Sequence, residues 1–377
     1  MRHLRNEVPG SESLFYFRLS GTFACHLKRI RYPEMAKKKK KRVASPRGDG
    51  MSSNRMGVDL RNPPPRRIPG PIIDAHAHVA NPKIAELFVE VARTYHIDKV
   101  IAISTVEDAE ALRKRFGTFF EFYYRPPFDE KDKPRIFKKK SLERIDEAVE
   151  NGFKALKFWF KPQFNYDQKM YFDDRRLYPL FERAGEHGIP CITHIADPDI
   201  WFERVYTSRR KFLTKRGNYR QFRNAFRDHP DVTFIGAHMA GDPEHLDHLQ
   251  ELLDEHPNLV VDCSATKWVA RELSEQAADA REFFIRNSDR IMFGTDLVTF
   301  PGITDFDRYA SRYWVHQIMW ETGRRCESPI DDPDSPGVPK LHGLDLPDDV
   351  LEKLNWRNAV RVFNLKRPRV RTAMPRA

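Results

Sequence analysis

Eight short apolar runs, each followed by a segment with helical spacing, constrain the fold of this chain more than any other feature. After the first run, Ile84, Leu87, Phe88 and Val91 recur at i, i+3, i+4 and i+7. Strands that are apolar along their whole length are typical of a parallel sheet covered by helices on both faces. Eight such units within about 300 residues predict a (β/α)8 TIM barrel of the α/β class rather than an open doubly wound sheet. The runs cover residues 72–79, 99–104, 119–124, 153–160, 189–195, 232–239, 259–264 and 291–295.

Two longer segments interrupt this pattern. Residues 198–217 follow the fifth run, on the side of a barrel that carries active sites, so we expect a lid or a wall of the substrate pocket there. Residues 324–346 follow the eighth helix, are rich in Pro and Asp, and are interpreted as a loop. A final helix over 348–364 is expected to pack against the barrel.

The net charge of +11 is concentrated at the two ends of the chain. Residues 1–68 contain 17 Lys and Arg against 5 Asp and Glu, whereas residues 69–365 carry a net charge of −6. Blocks of like charge repel each other and stay solvated. We therefore predict a disordered basic and proline-rich extension over 1–68, a single barrel domain over 69–367 and a basic tail over 368–377. The mildly acidic body gives no general reason to expect nucleic-acid binding.

Several classes of protein are excluded by what the sequence lacks. No stretch of 18 uncharged apolar residues is present, so we expect no membrane-spanning helix. The four cysteines have no CxxC spacing, which excludes a disulfide scaffold and a cysteine zinc finger. The apolar stretch 14–27 is interrupted by Arg18 and lacks an obvious cleavage site. We therefore expect a cytoplasmic protein.

Five metal-competent side chains follow four of the predicted strands at the point where each strand ends. His76 and His78 are two residues apart on the first strand, so both point to one face. His194, His238 and Asp296 end the fifth, sixth and eighth strands. Because the carboxyl ends of barrel strands converge on one mouth, these side chains are expected to meet there. Imidazole and carboxylate groups together suit a divalent ion such as Zn²⁺.

These residues and their surroundings resemble the amidohydrolase superfamily of metal-dependent barrels. The likeness covers roughly residues 70–365 and is closest to the branch of small-ring hydrolases, lactonases and non-oxidative decarboxylases. The motifs that carry it are IDAHAH, GIPCITH, FIGAHMAG, RIMFGTD and NAVRVF.

The resemblance implies a role for each strand-end residue. His76, His78, His194 and Asp296 would hold one divalent ion, which we expect to be Zn²⁺, with Mn²⁺ as the alternative. Asp296 would also take a proton from water and pass it to the leaving group. His238 would polarise the substrate carbonyl or stabilise the oxyanion.

The fourth strand adds two candidate substrate-binding residues. Alternation sends Lys157 and Trp159 into the barrel, with Lys157 as a cation beside the substrate or the metal ligands. In binuclear relatives a carboxylated lysine on this strand bridges two metals, and a lysine that reaches outward to solvent is a third possibility. Arg125 and Arg271 are candidates to bind a substrate carboxylate, or are solvated surface charges. Asp74 shares the face of the two histidines and either orients one of them or has a structural role.

Three functions are compatible with this pattern. The first is a metal-dependent hydrolase of an ester, lactone or amide of a small carboxylated molecule. The second is a metal-dependent non-oxidative decarboxylase of the aminocarboxymuconate-semialdehyde decarboxylase type. The third is a binding protein whose basic extension docks on nucleic acid. The complete ligand set favours an enzyme with a small-molecule substrate and no membrane partner, with a homodimer left open.

Overall fold

The computed structural model describes residues 52–368. The part of the predicted basic extension before residue 52, and the tail beyond residue 368, lie outside the described residues. Within residues 52–368, none of the helices combines the length and apolar character needed to cross a membrane.

Residues 52–68 pack against the barrel, unlike the disordered extension that the sequence predicts there. Leu60 and Ile68 are buried in the core. The Nε atom of Arg66 donates to Oε1 of Glu321 at 2.6 Å, and neither side chain is more than slightly exposed. The basic charge of this segment is thus compensated by carboxylates far along the chain. The predicted boundary at residue 68 is therefore wrong, and the folded body includes residues 52–68.

Parallel strands close into the predicted barrel. Each strand pairs with the next one along the chain, and the eighth strand consists of two halves, β8 and β9. β8 pairs with β7 and β9 pairs with β1, so the sheet closes on itself. The strands are β1 (Ile72–His78), β2 (Ile97–Ile103), β3 (Phe120–Tyr124), β4 (Ala155–Trp159), β5 (Cys191–His194), β6 (Phe234–Gly236), β7 (Leu259–Asp262), β8 (Ile291–Met292) and β9 (Leu297–Val298).

Helices cover the outer face of this sheet. Several begin at side-chain caps: Asn81 accepts from the backbone of Ile84, and Thr105 accepts from that of Asp108. The helices are α1 (Pro82–Thr94), α2 (Val106–Phe116), α3 (Pro134–Glu150), α4 (Pro162–Gln168), α5 (Tyr178–Glu186), α6 (Asp199–Arg204), α7 (Arg209–Phe212), α8 (Lys215–Asp228), α9 (Ala237–Ala240), α10 (Leu246–Glu255), α11 (Thr266–Glu275), α12 (Ala277–Arg286), α13 (Phe306–Glu321), α14 (Asp348–Glu352) and α15 (Asn358–Val362).

The apolar residues form two layers, which confine polar side chains to one end of the barrel. Leu156 and Phe158 belong to the layer between sheet and helices, whereas Ile192 and Ile235 belong to the layer inside the barrel. The predicted final helix is present as α14, a π-helical turn over Lys353–Arg357, and α15. Ala359, Val362 and Phe363 of this segment join the inner layer. The carboxyl ends of the strands are left for polar groups.

The two insertions have more structure than the sequence indicates. The first contains α6 and α7, and the second contains an antiparallel pair of strands, β10 (Arg325–Glu327) and β11 (Lys340–His342), where a loop is predicted. The indole nitrogen of Trp201 donates to Oδ2 of Asp334 at 2.9 Å and so links the two insertions. The hairpin was missed because its strands are three residues long, too short to show alternation.

Candidate metal centre

His76, His78 and Asp296 form a compact donor group at the carboxyl ends of β1 and β8. Oδ1 of Asp296 lies 3.4 Å from Nε2 of His76 and 3.1 Å from Nε2 of His78. Two atoms that each lie about 2.1 Å from one ion are about 3.0 to 3.4 Å apart at octahedral or tetrahedral angles. The two distances to Asp296 therefore fit a single divalent ion, and all three donor atoms lie within 4.8 Å of one another.

Asp296 combines an unusual backbone conformation with an ionised carboxylate. Asp296 has a positive φ of 58°, an uncommon conformation for a residue other than glycine. Burial raises the pKa of its carboxyl, but the neighbouring histidines, His76 first, outweigh that effect and hold the pKa well below its usual range. Burial lowers the pKa of His78 to about 4, so its imidazole is neutral near pH 7. Neutral imidazoles and an ionised carboxylate are the forms that bind metal.

Asp262, at the end of β7, supports His76 from the side opposite to Asp296. Its Oδ2 lies 2.9 Å from Nδ1 of His76, and its Oδ1 accepts from the backbone nitrogens of His238 and Ser264, each at 3.0 Å. Burial raises the pKa of the Asp262 carboxyl. The interactions with His76 and Ser264 lower this pKa by more than burial raises it, so the carboxylate is ionised. A carboxylate on the far nitrogen of a metal-binding histidine fixes its tautomer and orientation.

His238 faces the donor group from a strained turn after β6. It has a φ of 58°, and Met239 and Ala240 beside it also have positive φ. Such left-handed residues cost roughly 1–2 kcal/mol each and persist where the surrounding structure enforces them. Nε2 of His238 lies 3.9 Å from Oδ2 of Asp296. Burial lowers the pKa of His238 to about 3, so this imidazole is neutral at pH 7.

His194 is close to the centre but is engaged by another carboxylate. Its ring centroid lies 4.9 Å from that of His238. Its Nε2 lies 2.9 Å from Oδ1 of Asp197, whose Oδ2 accepts a hydrogen bond of 2.5 Å from the hydroxyl of Tyr206. Within residues 52–368, no group of three metal-competent side chains within 4.8 Å of one another includes His194. The geometry thus groups His76, His78 and Asp296 without the predicted fourth ligand.

The candidate substrate-binding residues of β3 and β4 lie beside this centre. Nζ of Lys157 is 3.3 Å from Nε2 of His76, so its side chain points into the barrel. Burial lowers the pKa of Lys157 to about 8. Trp159 pairs with His194 across the strands, and Arg125 follows β3 near enough to Lys157 for their charges to repel.

The sequence model of the amidohydrolase family matches residues 126–365. The chain belongs to this family. Amidohydrolases of this family are metal-dependent enzymes, so the donor group lies in an enzyme barrel whose chemistry uses a metal ion. A comparison with curated proteins finds none that matches the sequence.

Several solved structures are similar to this chain over most of their length. The 2,6-dihydroxybenzoate decarboxylase from Rhizobium is 12% identical with a TM-score of 0.49, covering 78% of this chain and 98% of that one. The 5-carboxyvanillate decarboxylase from Sphingomonas paucimobilis is 15% identical with a TM-score of 0.48, covering 78% and 99%. The 4-oxalomesaconate hydratase from Rhodopseudomonas palustris is 15% identical with a TM-score of 0.49, covering 78% and 95%.

Two further predicted residues have partners within the amidohydrolase chain. The guanidinium of Arg271 forms ion pairs with Asp332 and Glu272, which compensate its charge. It therefore has a structural partner where the sequence suggests a substrate carboxylate, and we leave it out of the site. Asp74 accepts from the backbone of His76 and, at 2.6 Å, from the hydroxyl of Thr295. It thus holds β1 against the eighth strand, beside the candidate metal ligands.

Sequence reasoning missed Asp262, Ser264, Asp197 and Tyr206. Asp262 could have been found, because it is a carboxylate at the end of an apolar strand, as Asp296 is. Ser264 follows two residues later, with its hydroxyl 2.8 Å from Nδ1 of His238. Asp197 and Tyr206 lie in the insertion after β5, where no periodic pattern indicates which side chains turn inward.

Proposed function

We propose that this amidohydrolase is a metal-dependent hydrolase that cleaves an ester, lactone or amide bond in a small carboxylated molecule. The observation that carries the proposal is the position of Asp296. One of its oxygens faces His76 and His78, while the other lies 3.9 Å from His238. A carboxylate in that position can hold a metal ion with one oxygen and a proton with the other.

His76, His78 and Asp296 would hold the divalent ion, which we expect to be Zn²⁺, with Mn²⁺ as the alternative. When bound, the ion polarises a carbonyl oxygen and lowers the pKa of water from 15.7 to about 7. His194 becomes a fourth ligand only if its Nε2 leaves Asp197.

Asp296 and His238 divide the remaining chemistry between them. Asp296 accepts, at the oxygen that faces His238, the proton of the water that attacks the substrate carbonyl carbon, and delivers it to the leaving group as its bond to that carbon breaks. The hydroxyl of Ser264 donates to Oδ1 of Asp262 and lies 2.8 Å from Nδ1 of His238. The role of His238 requires its imidazole proton on Nε2, from which it would donate to the substrate carbonyl oxygen as charge develops there, with the Ser264 hydroxyl turned to donate to Nδ1.

Lys157 and Arg125 would bind the carboxylate of the substrate. Lys157 is buried and lies against His76, so a carboxylate that it binds is held close to the metal ligands. Arg125 is exposed at the end of β3 and would contact the same carboxylate from the mouth of the barrel.

The test measures acid release at constant pH by the full chain loaded with Zn²⁺ or Mn²⁺. The substrates are lactones, esters and amides that each carry one free carboxylate. We expect acid release that falls at least about 100-fold in Asp296→Asn, which keeps an oxygen at Oδ1 and should therefore retain more metal than His78→Ala. Carbon dioxide release from carboxylated phenols is followed in the same preparations. Decarboxylation without any acid release from the first group would overturn hydrolysis.

A further inference from the structure

We infer that residues 200–212, in the insertion after β5, form a lid that opens about a hinge at Leu213 and is latched shut by Tyr206. Such a lid controls access to the metal centre, whichever reaction takes place there. Three features of the segment point to this behaviour: its sparse attachment to the barrel, its single buried link to the centre and its strained backbone at Leu213.

The lid is anchored at its two ends and only sparsely attached between them. Among residues 200–212, all of which the structure describes, only Tyr206 is buried. Oδ1 of Asp199, just before the lid, lies 2.8 Å from Nζ of Lys215, the first residue of α8, so the two ends are held together. A loop with close ends and few buried side chains opens more readily than the body that it covers.

Tyr206 links the interior of the lid to the metal centre. Its ring centroid lies 5.2 Å from those of Phe202 and Phe212, which belong to the two lid helices α6 and α7. Its hydroxyl donates to Oδ2 of Asp197 at 2.5 Å, and Oδ1 of Asp197 lies 2.9 Å from Nε2 of His194. One side chain thus holds the lid helices together and latches them beside His194. Opening breaks this hydrogen bond and uncovers the side of the centre that β5 forms.

The other contacts of the lid lie nearer its surface. The indole nitrogen of Trp201 donates to Oδ2 of Asp334 at 2.9 Å, and the ring centroid of Phe212 lies 5.6 Å from that of Tyr166, which is 44% exposed. Contacts at partly solvated positions contribute less than a buried hydrogen bond to a carboxylate, because water replaces them when they break. The latch at Tyr206 is therefore the contact that keeps the lid closed.

Leu213 has the backbone conformation of a strained hinge. Its φ of 60° and ψ of −169° lie in a region that is essentially confined to glycine, so the closed lid holds strain at this residue. Nδ2 of Asn218 donates to the carbonyl oxygens of Phe212 and Thr214, at 2.8 and 3.0 Å, and so fixes the backbone on either side of Leu213. Hinges are typically a few residues at the ends of elements that absorb a large change in φ and ψ. A return of Leu213 to ordinary angles releases the strain as the lid opens.

The experiment follows trypsin cleavage of the full chain under native conditions, with the fragments identified by mass spectrometry. Arg209, Arg210 and Lys211 are exposed residues of α7, and cleavage after them reports the population of the open lid. Arg286, exposed on α12 of the barrel, is the reference for opening of the body in the same digest. We expect cleavage within α7 to be at least about tenfold faster than cleavage after Arg286.

Three variants test the latch and the hinge separately. Tyr206→Phe removes the hydrogen bond to Asp197 and should speed cleavage within α7 at least about tenfold. Leu213→Gly relieves the strain of the closed lid and should slow this cleavage about threefold or more. Val205→Gly is the matched control for the second variant, because Val205 lies in the lid at ordinary angles, φ −110° and ψ −52°. It adds only the flexibility of glycine, so it should not slow cleavage.

Any one of three results would overturn the inference. Cleavage within α7 that is no faster than cleavage after Arg286 would show a rigid wall instead of a lid. An unchanged rate in Tyr206→Phe would refute the latch, and a rate that Leu213→Gly does not lower would refute the strained hinge. The digest needs neither metal nor substrate, so its outcome is independent of the proposed reaction.

Discussion

Nδ1 of His76 lies 2.9 Å from Oδ2 of Asp262, and both side chains are fully buried. This contact places the imidazole proton on Nδ1 and leaves Nε2 as the lone-pair donor that faces Asp296. The other oxygen of Asp262 accepts from the backbone of His238. One carboxylate on β7 thus orients a candidate metal ligand on β1 and the strained turn after β6.

The first prediction removes the charge of Asp262. Asp262→Asn keeps the size of the side chain but weakens the acceptor for Nδ1 of His76. We expect metal affinity to fall about 10- to 100-fold, as is typical when such a partner is lost. The measurement is metal content after dialysis against graded chelator, with Asp279→Asn on the exposed face of α12 as the control. Equal metal retention in the two variants would contradict the role of Asp262.

The second prediction distinguishes the candidate ligand His78 from the neighbouring His194. His78→Ala removes a donor 3.1 Å from Asp296 and should lose most of the bound metal. His194→Ala removes a ring whose Nε2 is engaged by Asp197, so it should keep at least about half of the metal. The bound metal is measured by elemental analysis of both variants and of the wild type. An equal loss would show that His194 turns to bind the ion, as the family resemblance implies.

The repeating pattern was sufficient to predict the barrel, because eight apolar strands with intervening helices admit few other arrangements. Residues 52–68 could not be placed, because their order depends on pairs such as Arg66 with Glu321, more than 250 residues apart. Composition alone made that segment resemble a solvated tail. The pairing of Arg271 with Asp332 could not be predicted either, because these residues are also far apart along the chain.

The meeting of His76, His78 and Asp296 was predictable, because strand ends are fixed by the fold. Hydrogen bonds between side chains of different strands were not predictable, because several acceptors compete for each donor. His194 illustrates this: its position after β5 is as predicted, but the carboxylate three residues later determines where its Nε2 points. The left-handed turn at His238 also has no sequence pattern, because its residues are not the glycine or asparagine that usually indicate one.

The third prediction concerns the hydroxyl of Tyr206. Tyr206→Phe removes a hydrogen bond to a buried carboxylate, Asp197, and should lower the free energy of unfolding by about 1.5–3 kcal/mol. Tyr171→Phe, at a side chain that is 42% exposed, should change it by less than about 0.5 kcal/mol. Denaturant unfolding of both variants gives the comparison. A loss for Tyr206→Phe no larger than that of the control would show that this hydrogen bond is not needed for stability.

The last prediction tests the close approach of the loop after β5, which contains Ala196, to the loop after β6, which contains Gly241. Gly241 has a φ of +79°, and a Cβ atom there would lie 2.7 Å from the backbone nitrogen and oxygen of Ala196. Gly188 also has a positive φ, +63°, but a Cβ atom there would meet nothing within 4 Å. Gly188→Ala should therefore cost only the conformational penalty of about 1–2 kcal/mol. Gly241→Ala should cost an additional 1–3 kcal/mol or so, because the backbone between His194 and Asp197 must move. Unfolding in urea measures the loss of unfolding free energy in both variants. Equal losses would mean that the loop after β5 can shift without a measurable cost.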